Sequence, residues 1–131
     1  MARESVEVVG RTLGPYSPAV RAGGLVFVAG QIGWDFDAGA LVGGGVEAEM
    51  SAALANLADV LAAAGCTAAD VVKTTVFVTD ITAGPAVNPV YAEFFGADPP
   101  ARSFVQVSAL PAGALVEIEA VAACPPTDVG T

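Results

Sequence analysis

A helical repeat of apolar side chains in residues 46–64 is the feature that most constrains the fold of this chain. The apolar positions recur at spacings of three and four residues, which places them on one face of an amphipathic helix. These positions are Val46, Met50, Ala53, Leu54, Leu57 and Leu61. The opposite face, which we expect to be solvated, carries Glu47, Glu49, Ser51 and Asp59. Such a helix must bury its apolar face against another layer of structure, which the rest of the chain has to supply.

Runs of β-branched and apolar residues predict that this second layer is a β-sheet. Residues 71–79 are rich in valine and threonine and are typical of a central strand. Residues 25–29 form a nearly continuous apolar run between glycines, and residues 6–9 alternate weakly, so each segment predicts a further strand. A second helix is predicted over residues 85–95, because a proline opens this segment and a glycine follows it.

The C-terminal part of the chain is predicted to form a hairpin around a turn at residues 110–114. Arg102 and Phe104 would share one face of its first strand, and Glu117 and Glu119 would share one face of its second. Alternation alone does not decide which of these faces meet. The order strand, strand, helix, strand, helix, strand, strand predicts an α+β domain with two helices packed on one face of a mixed sheet.

Length and composition predict one domain that forms an oligomer. A chain of 131 residues has the commonest size for a single domain and no room for two independent cores. We expect the domain to span residues 1–123, and residues 124–131, which lose all periodicity, to form a mobile tail. The hydrophobic share of 54%, against 15% charged residues, exceeds what a small monomer needs for its interior. Part of this apolar surface is therefore expected between subunits.

The net charge of −9 limits the possible partners. Five cations are scattered along the chain without a basic stripe, whereas nucleic-acid binding depends on lysines and arginines that neutralise phosphates. Nucleic acid and acidic membrane surfaces are therefore disfavoured. No apolar run approaches the ~20 residues needed to cross a bilayer, and the N-terminus lacks the apolar segment of a signal peptide. We expect a soluble, cytoplasmic protein.

The cysteine and histidine content excludes several kinds of site. Cys66 and Cys124 lie far apart in sequence and form no CxxC pair or other metal-ligand spacing, so we expect two reduced thiols and no metal site. The sequence contains no histidine, which excludes Ser/His and Cys/His nucleophilic sites and imidazole bases. Any chemistry must therefore use carboxylates, arginine, tyrosine, hydroxyl and backbone groups, and water.

Arg102 is the most informative polar residue, as one of five cations against fourteen carboxylates. A guanidinium can hold a carboxylate through two hydrogen bonds, and a nearby Glu117 or Glu119 could activate water. The alternative is an intramolecular salt bridge from Arg102 to one of these glutamates. Tyr16 lies on a stiff loop with two prolines, and from the residues alone we expect it to pack over the sheet edge. Trp34 could form a pocket wall, but a position in the core or in an interface is favoured, because large aromatic side chains are most often hydrophobic anchors.

Several blocks of the sequence, in this order, resemble the Rid family, known also as YjgF/YER057c/UK114 and L-PSP. The blocks are GPYSPA at 14–19, VFVAGQI at 26–32, DVVKTTVFVTD at 70–80, VN at 87–88, VYAEFF at 90–95 and the segment 102–119. The resemblance implies a chorismate-mutase-like fold and a homotrimer with ligand clefts between subunits. It also implies hydrolysis of 2-imino or 2-enamino acids, such as 2-iminopropanoate, to 2-keto acids and ammonia.

The same resemblance assigns catalytic roles to three residues by motif position. Arg102 would hold the substrate carboxylate, Glu117 would orient or deprotonate the attacking water, and Tyr16 would line the pocket. Glu119 would have a structural role. An iminium carbon is already a strong electrophile, so a positioned water and a base, which contributes about 10²–10⁴ in rate, suffice without a cofactor.

The resemblance assigns four further residues to substrate binding: Gly30, Ser103, Phe104 and Asn88. Gly30 and Ser103 would present backbone groups to the substrate. Phe104 stands where close deaminase relatives often have cysteine, which implies a bulkier pocket wall and a different preference for the substrate side chain. Two other functions stay open. One is a ligand-binding or regulatory trimer without turnover, and the other, less favoured because a basic surface is missing, is an endoribonuclease or translation inhibitor.

Overall fold

The computed structural model describes residues 2–124, which form eight strands and two α-helices. The main sheet contains β1 (Glu4–Val6), β2 (Ala19–Ala22), β3 (Leu25–Ile32), β6 (Val71–Val78), β7 (Ala101–Gln106) and β8 (Val116–Ala123). A separate short hairpin contains β4 (Trp34–Asp35) and β5 (Ala40–Leu41). The helices are α1 (Gly45–Ala63) and α2 (Gly84–Phe95).

The main sheet is mixed, as predicted, with the strand order β1-β2-β3-β8-β6-β7. Its pairs are antiparallel except for β6 and β7, which run parallel. The predicted C-terminal hairpin is wrong, because β6 lies between β7 and β8. The chain leaves β6 through α2 and returns as β7, and such a strand–helix–strand crossover makes the two strands parallel neighbours. The other edge of β6 is then open to β8, which joins it to β3.

Side-chain alternation divides the sheet into a helix face and an open face. On the three central strands Val28, Val76 and Ile118 are at most 5% exposed, and they belong to one core with residues of both helices. The neighbouring positions Phe27 and Glu117 point the other way and define the open face. The predicted α+β arrangement of two helices on one face of a mixed sheet is therefore confirmed.

The apolar stripe of α1 supplies much of this core, and the predicted amphipathic helix is confirmed. The side chains of Met50, Leu54, Leu57 and Leu61 are each at most 2% exposed. Burial of one such side chain contributes about 1.5–3 kcal/mol, so this stripe is a main attachment between helix and sheet. Neither helix formed by residues 2–124 is long and apolar enough to span a membrane.

Glu49 departs from the predicted pattern of α1. It was expected on the solvated face, but it is only 5% exposed, and its Oε1 accepts a hydrogen bond from the Leu115 N–H at 2.8 Å. Because this donor lies 66 residues later in the chain, the helical pattern could not reveal it. Glu49 thereby fixes the backbone immediately before β8.

The N-terminal strands also differ from prediction. The strand expected at residues 6–9 lies earlier, at Glu4–Val6, and β2 has no counterpart among the predicted strands. Arg21 interrupts the apolar pattern of β2, because its guanidinium donates to the carbonyl oxygens of Ala64 and, at 2.5 Å, of Cys124. A charged side chain in this short strand therefore serves a structural purpose.

The expectation of two reduced thiols is wrong, because Cys66 and Cys124 form a disulfide. The two residues are 58 positions apart in sequence, but β8 returns its end to the turn after α1 and brings their Cα atoms to 5.9 Å. This separation is typical of disulfides. Cys124 is buried, so the tail predicted from residue 124 does not begin there, and residues 125–131 lie outside the described part of the chain.

Loss of this disulfide is expected to destabilise the fold. Cys66→Ser opens a loop for which chain entropy gives a loss of about 4 kcal/mol in the free energy of unfolding. Urea unfolding of the wild type with and without a reductant should show a loss in the same direction, whereas the reductant should leave the variant unchanged. Titration of two free thiols in unreduced, denatured wild-type protein would contradict the disulfide.

Candidate functional site

A cavity of ≈ 200 Å³ lies beside the start of β8 and the end of β3, and we call it the Glu117 cavity. Its walls include Tyr16, Gly30 and Glu117, three of the residues selected from the sequence. The structure therefore brings these three side chains and backbone positions together, although they come from a loop and two different strands.

Glu117 and Gly30 are in close contact. A Cβ atom added at Gly30 would lie 2.6 Å from Oε2 of Glu117 and 2.8 Å from its Cδ, closer than real Cβ contacts. The register of β3 and β8 shifts between Val28 and Gln31, an interval that includes Gly30. Only glycine leaves room for the carboxylate at this point, so Gly30 determines where the Glu117 side chain can lie.

The electrostatic environment suits Glu117 for proton transfer. Burial raises the pKa of the half-buried Glu117 carboxyl above its usual value, and the negative charge of Glu119 raises it further. Glu119 is two residues further along the same strand face but is exposed. A carboxylate whose pKa is shifted toward neutrality is a better general base at physiological pH than an ordinary glutamate.

Tyr16 forms part of the cavity wall. Its ring is 47% exposed, and its hydroxyl accepts a long hydrogen bond of 3.5 Å from the Leu13 N–H. A Cβ at Gly14 would approach the Tyr16 ring to 3.1 Å, so the small residue before the proline allows this ring position. The residue-based expectation that Tyr16 only packs over the sheet edge therefore gives way to a place beside the cavity.

Arg102 lies on a different surface, with three neighbours that we call the Arg102 shelf: Asn88, Tyr91 and Phe104. Its Nη1 donates to Asn88 Oδ1 at 2.9 Å, and its Cζ lies 4.7 Å from the Tyr91 ring centre and 5.1 Å from that of Phe104. Cation–π contact orients a guanidinium while leaving its edge free for a ligand. Within residues 2–124 Arg102 forms no ion pair, and it is exposed.

Tyr91, a member of this shelf, is itself held in place by two contacts. Its hydroxyl is hydrogen-bonded to Thr74 Oγ1 at 2.7 Å, and its ring contacts Phe95 at 4.6 Å between centres. Burial raises the pKa of Tyr91 above its usual value, although the Thr74 hydrogen bond and the Arg102 charge act in the opposite direction. Tyr91 therefore stays neutral, and its ring gives the Arg102 guanidinium a rigid aromatic surface to lie against.

Within one protomer Arg102 and Glu117 are separated by the sheet. Arg102 is level with buried Thr74 on the helix face, whereas Glu117 alternates with core residues and points to the open face. Glu117 is level with Phe77 on β6, which is level with Val105 on β7. From strand spacing and rise, the Arg102 and Glu117 backbones are roughly 14 Å apart. The alternative of an intramolecular salt bridge between Arg102 and Glu117 or Glu119 is therefore wrong.

Ser103 belongs to neither group. It follows Arg102 and points to the open face, where its Oγ accepts a hydrogen bond from Lys73 Nζ at 2.7 Å. The sequence assignments thus divide into Tyr16, Gly30 and Glu117 at the cavity, Asn88 and Phe104 beside Arg102, and Ser103 apart.

Residues that were not selected from the sequence as pocket residues also line the Glu117 cavity, among them Arg11, Trp34 and Asn56. Asn56 is 8% exposed and donates to the carbonyl oxygens of Ile32 at 3.0 Å and Trp34 at 2.9 Å. Trp34 lies in the cavity wall and is half-buried, so it is not a core residue, and its expected place in an interface stays a prediction. A polar residue beside the apolar stripe of α1 was a signal for Asn56, whereas no pattern distinguished Arg11 from the other scattered cations.

Potential metal ligands do not form a usable site in the described chain. Among residues 2–124 Cys66, Asp70 and Cys124 have ligand atoms within 4.8 Å of one another. The two sulfurs are joined to each other, however, so neither can act as a thiolate ligand. The chemistry of the Glu117 cavity has to be derived from its own side chains.

Gly30→Ala is expected to displace the Glu117 carboxylate while retaining the fold. The new Cβ clashes with the flexible end of the Glu117 side chain, so the carboxylate moves before the backbone does. The free energy of unfolding should fall by at most about 3 kcal/mol. Gly43→Ala is the matched control, because a Cβ at Gly43 meets nothing within 4 Å. Crystal structures and unfolding curves of both variants check this. An unmoved Glu117 carboxylate in Gly30→Ala would refute the constraint.

Known proteins resemble this chain over most of its length. The family model for endoribonuclease L-PSP matches residues 9–124. The chain is 48% identical over 110 residues to the human 2-iminobutanoate/2-iminopropanoate deaminase, a match that covers 84% of this chain and 80% of that protein.

Solved structures give the same result for the fold. RidA from an Antarctic Psychrobacter species has a TM-score of 0.87 at 34% identity, covering 92% of this chain and 98% of that one. E. coli TdcF with bound serine has a TM-score of 0.85 at 36% identity, with the same coverage of 92% and 98%. The matched segment includes both the Glu117 cavity and the Arg102 shelf, and the chain belongs to the endoribonuclease L-PSP family, the Rid family of the sequence resemblance.

Proposed function

We propose that this protein hydrolyses 2-imino acids to 2-keto acids and ammonia in a cleft between subunits of a homotrimer with a chorismate-mutase-like fold. The observation that carries the proposal is Glu117, a half-buried carboxylate of raised pKa that lines a cavity and is held against Gly30. The names of the relatives support it. The human relative is named as such a deaminase, and TdcF binds serine, which like the substrate has a carboxylate and a nitrogen on one carbon.

The reaction needs a carboxylate anchor and an activated water. Arg102 holds the substrate carboxylate in a two-bond grip, which fixes the imine carbon. Glu117 takes a proton from water as the oxygen attacks this carbon, and the C=N double bond becomes a single bond. Glu117 then returns the proton to the nitrogen. The C–N bond breaks as the new hydroxyl gives its proton to Glu117 and becomes the carbonyl, and the departing ammonia takes up that proton, which restores the Glu117 carboxylate. This cycle consumes one water and needs no redox or group-transfer reagent.

The separation of Arg102 and Glu117 favours a site shared by two subunits. A small imino acid cannot contact both groups of one protomer, because they lie on opposite faces of the sheet with backbones roughly 14 Å apart. The open face supports association, since Leu25, Phe27 and Val105 are 37%, 46% and 39% exposed there. Val105 lies on the same edge strand as Arg102, so packing of β7 against a second copy carries Arg102 toward that copy's Glu117 cavity.

Tyr16 and the Arg102 shelf complete the proposed site. Tyr16 bounds the cavity and limits the access of bulk water, while Asn88 and Phe104 hold the Arg102 guanidinium in place. Ser103 offers its backbone beside Arg102. Phe104 also presents a large apolar surface next to the carboxylate anchor, which favours substrates that leave room for it.

The two glutamates should separate by mutation in an assay of ammonia release from freshly generated 2-iminopropanoate. Glu117→Gln keeps the shape and removes the base, so turnover should fall by ~10²-fold or more while binding of a 2-keto acid is largely kept. Glu119→Gln should cost little turnover. Equal losses would mean that the two glutamates act as a unit, and a larger loss in Glu119→Gln would show that Glu119 is the base. If the wild type binds the keto acid but shows no turnover, a non-catalytic trimer is favoured.

The same pair makes a prediction about pH. Because the ionised form of Glu117 acts as the base, activity should rise with pH through its raised pKa. Glu119→Gln removes one of the two causes of this shift, so the acidic limb of the profile should move to lower pH. An unchanged limb in that variant would contradict the assignment of Glu117.

A shared site predicts complementation between two inactive variants. Arg102→Ala and Glu117→Gln should each be inactive alone, whereas trimers reassembled from an equal mixture should regain activity. Random assembly leaves about one quarter of the clefts with both groups intact in a cyclic trimer. Arg102→Lys should restore little, because a point charge does not reproduce the two-bond grip. Light scattering verifies reassembly, and reassembled trimers without activity would refute the shared cleft.

A further inference from the structure

Arg11 is the cation that borders the Glu117 cavity from within the same protomer. Its Nη1 donates to Asn56 Oδ1 at 3.3 Å, its Nη2 pairs with Asp59 Oδ2 at 3.0 Å, and its Cζ lies 4.8 Å above the Phe36 ring. Three different neighbours therefore hold the guanidinium in the cavity wall.

The position of Arg11 leaves it accessible to a ligand. Arg11 and Asn56 border both the Glu117 cavity and a neighbouring cavity of ≈ 370 Å³, while Asp59 borders only the neighbouring one. Asn56 and Asp59 use two of the five N–H groups of a guanidinium. The Asp59 side chain is 52% exposed, and an ion pair with such a partner is weak, so a second carboxylate can share Arg11.

The cavity carries negative charge that Arg11 can offset. The Glu117 carboxylate and its neighbour Glu119 repel a second negative charge, as does the net charge of −9. A ligand with a carboxylate beyond the reacting carbon therefore binds better if a cation offsets that repulsion. The cavity of ≈ 200 Å³ is several times the ~30 Å³ that one water occupies in the liquid, so it has room for such a ligand.

We infer that Arg11 makes this protein select 2-imino acids with an acidic side chain. The inference rests on the proposed function and deepens it. The carboxylate next to the imine binds Arg102 of the second subunit, the imine carbon lies at Glu117, and the side-chain carboxylate binds Arg11. Asp59 competes with the substrate for Arg11, so it lowers the affinity for that second carboxylate.

The test compares 2-iminoglutarate with 2-iminopropanoate, each generated from its amino acid by an oxidase, in wild type and two variants. Arg11→Gln should lower the ratio of kcat/KM for 2-iminoglutarate over 2-iminopropanoate by at least about tenfold, the effect of a lost charged hydrogen bond. Asp59→Asn should raise the same ratio, because it frees the guanidinium. Unfolding curves show whether each variant is folded, and the opposite direction of the Asp59→Asn effect distinguishes selection from damage.

Calorimetric binding of 2-oxoglutarate and pyruvate provides a readout that does not depend on turnover. Wild type should bind 2-oxoglutarate more tightly than pyruvate, and Arg11→Gln should lose this preference. If 2-iminopropanoate is hydrolysed and the kcat/KM ratio of the two imines is the same in wild type and Arg11→Gln, this inference is overturned and the proposed function stays intact. Absence of hydrolysis of either imine would overturn the proposed function, and the calorimetric preference would then decide whether Arg11 binds the second carboxylate.

Discussion

The position of β8 between β3 and β6 is the constraint on which the rest of the structure depends. Its alternate residues Val116, Ile118 and Ala122 are completely buried beneath the helices, so its register cannot slip by one residue without placing glutamates in the core. The same alternation sends Glu117 and Glu119 to the open face. The hydrophobic core therefore fixes the position of the candidate base Glu117, and no hydrogen bond to Glu117 is needed for this placement.

Two contacts sharpen this coarse placement. Gly30 removes the one Cβ that would exclude the Glu117 carboxylate, and the buried Glu49 holds the backbone at Leu115, just before β8. Gly30 acts by leaving space for the carboxylate, and Glu49 acts by accepting a hydrogen bond from the Leu115 N–H. The candidate site therefore also depends on Glu49, a residue outside the cavity, although the helical pattern predicts a solvated position for its charge.

The spacing of apolar residues predicted individual helices and strands. The amphipathic α1 and the β-branched β6 were predictable because their patterns reflect burial against a single layer. The partner of each strand was not, because the order of strands is decided by the α2 crossover, and the expected hairpin of β7 and β8 ignored it. The Cys66–Cys124 disulfide was not predicted for the same reason, since a sequence separation of 58 residues says nothing about distance in space. At the candidate site the motif blocks named Glu117 and Arg102, but Arg11 carries no local signal.

The disulfide also excludes one way in which copies of this chain could form the proposed trimer. It closes a covalent ring from Cys66 to Cys124 that contains β6, α2, β7 and β8. Domain swapping exchanges an identical element between protomers. An exchanged β8 would carry Cys124 away from the Cys66 of its own chain, and the ring could then close only between chains. With the ring closed inside one chain, β8 cannot be exchanged, so the proposed trimer would have to form through surfaces of already folded domains.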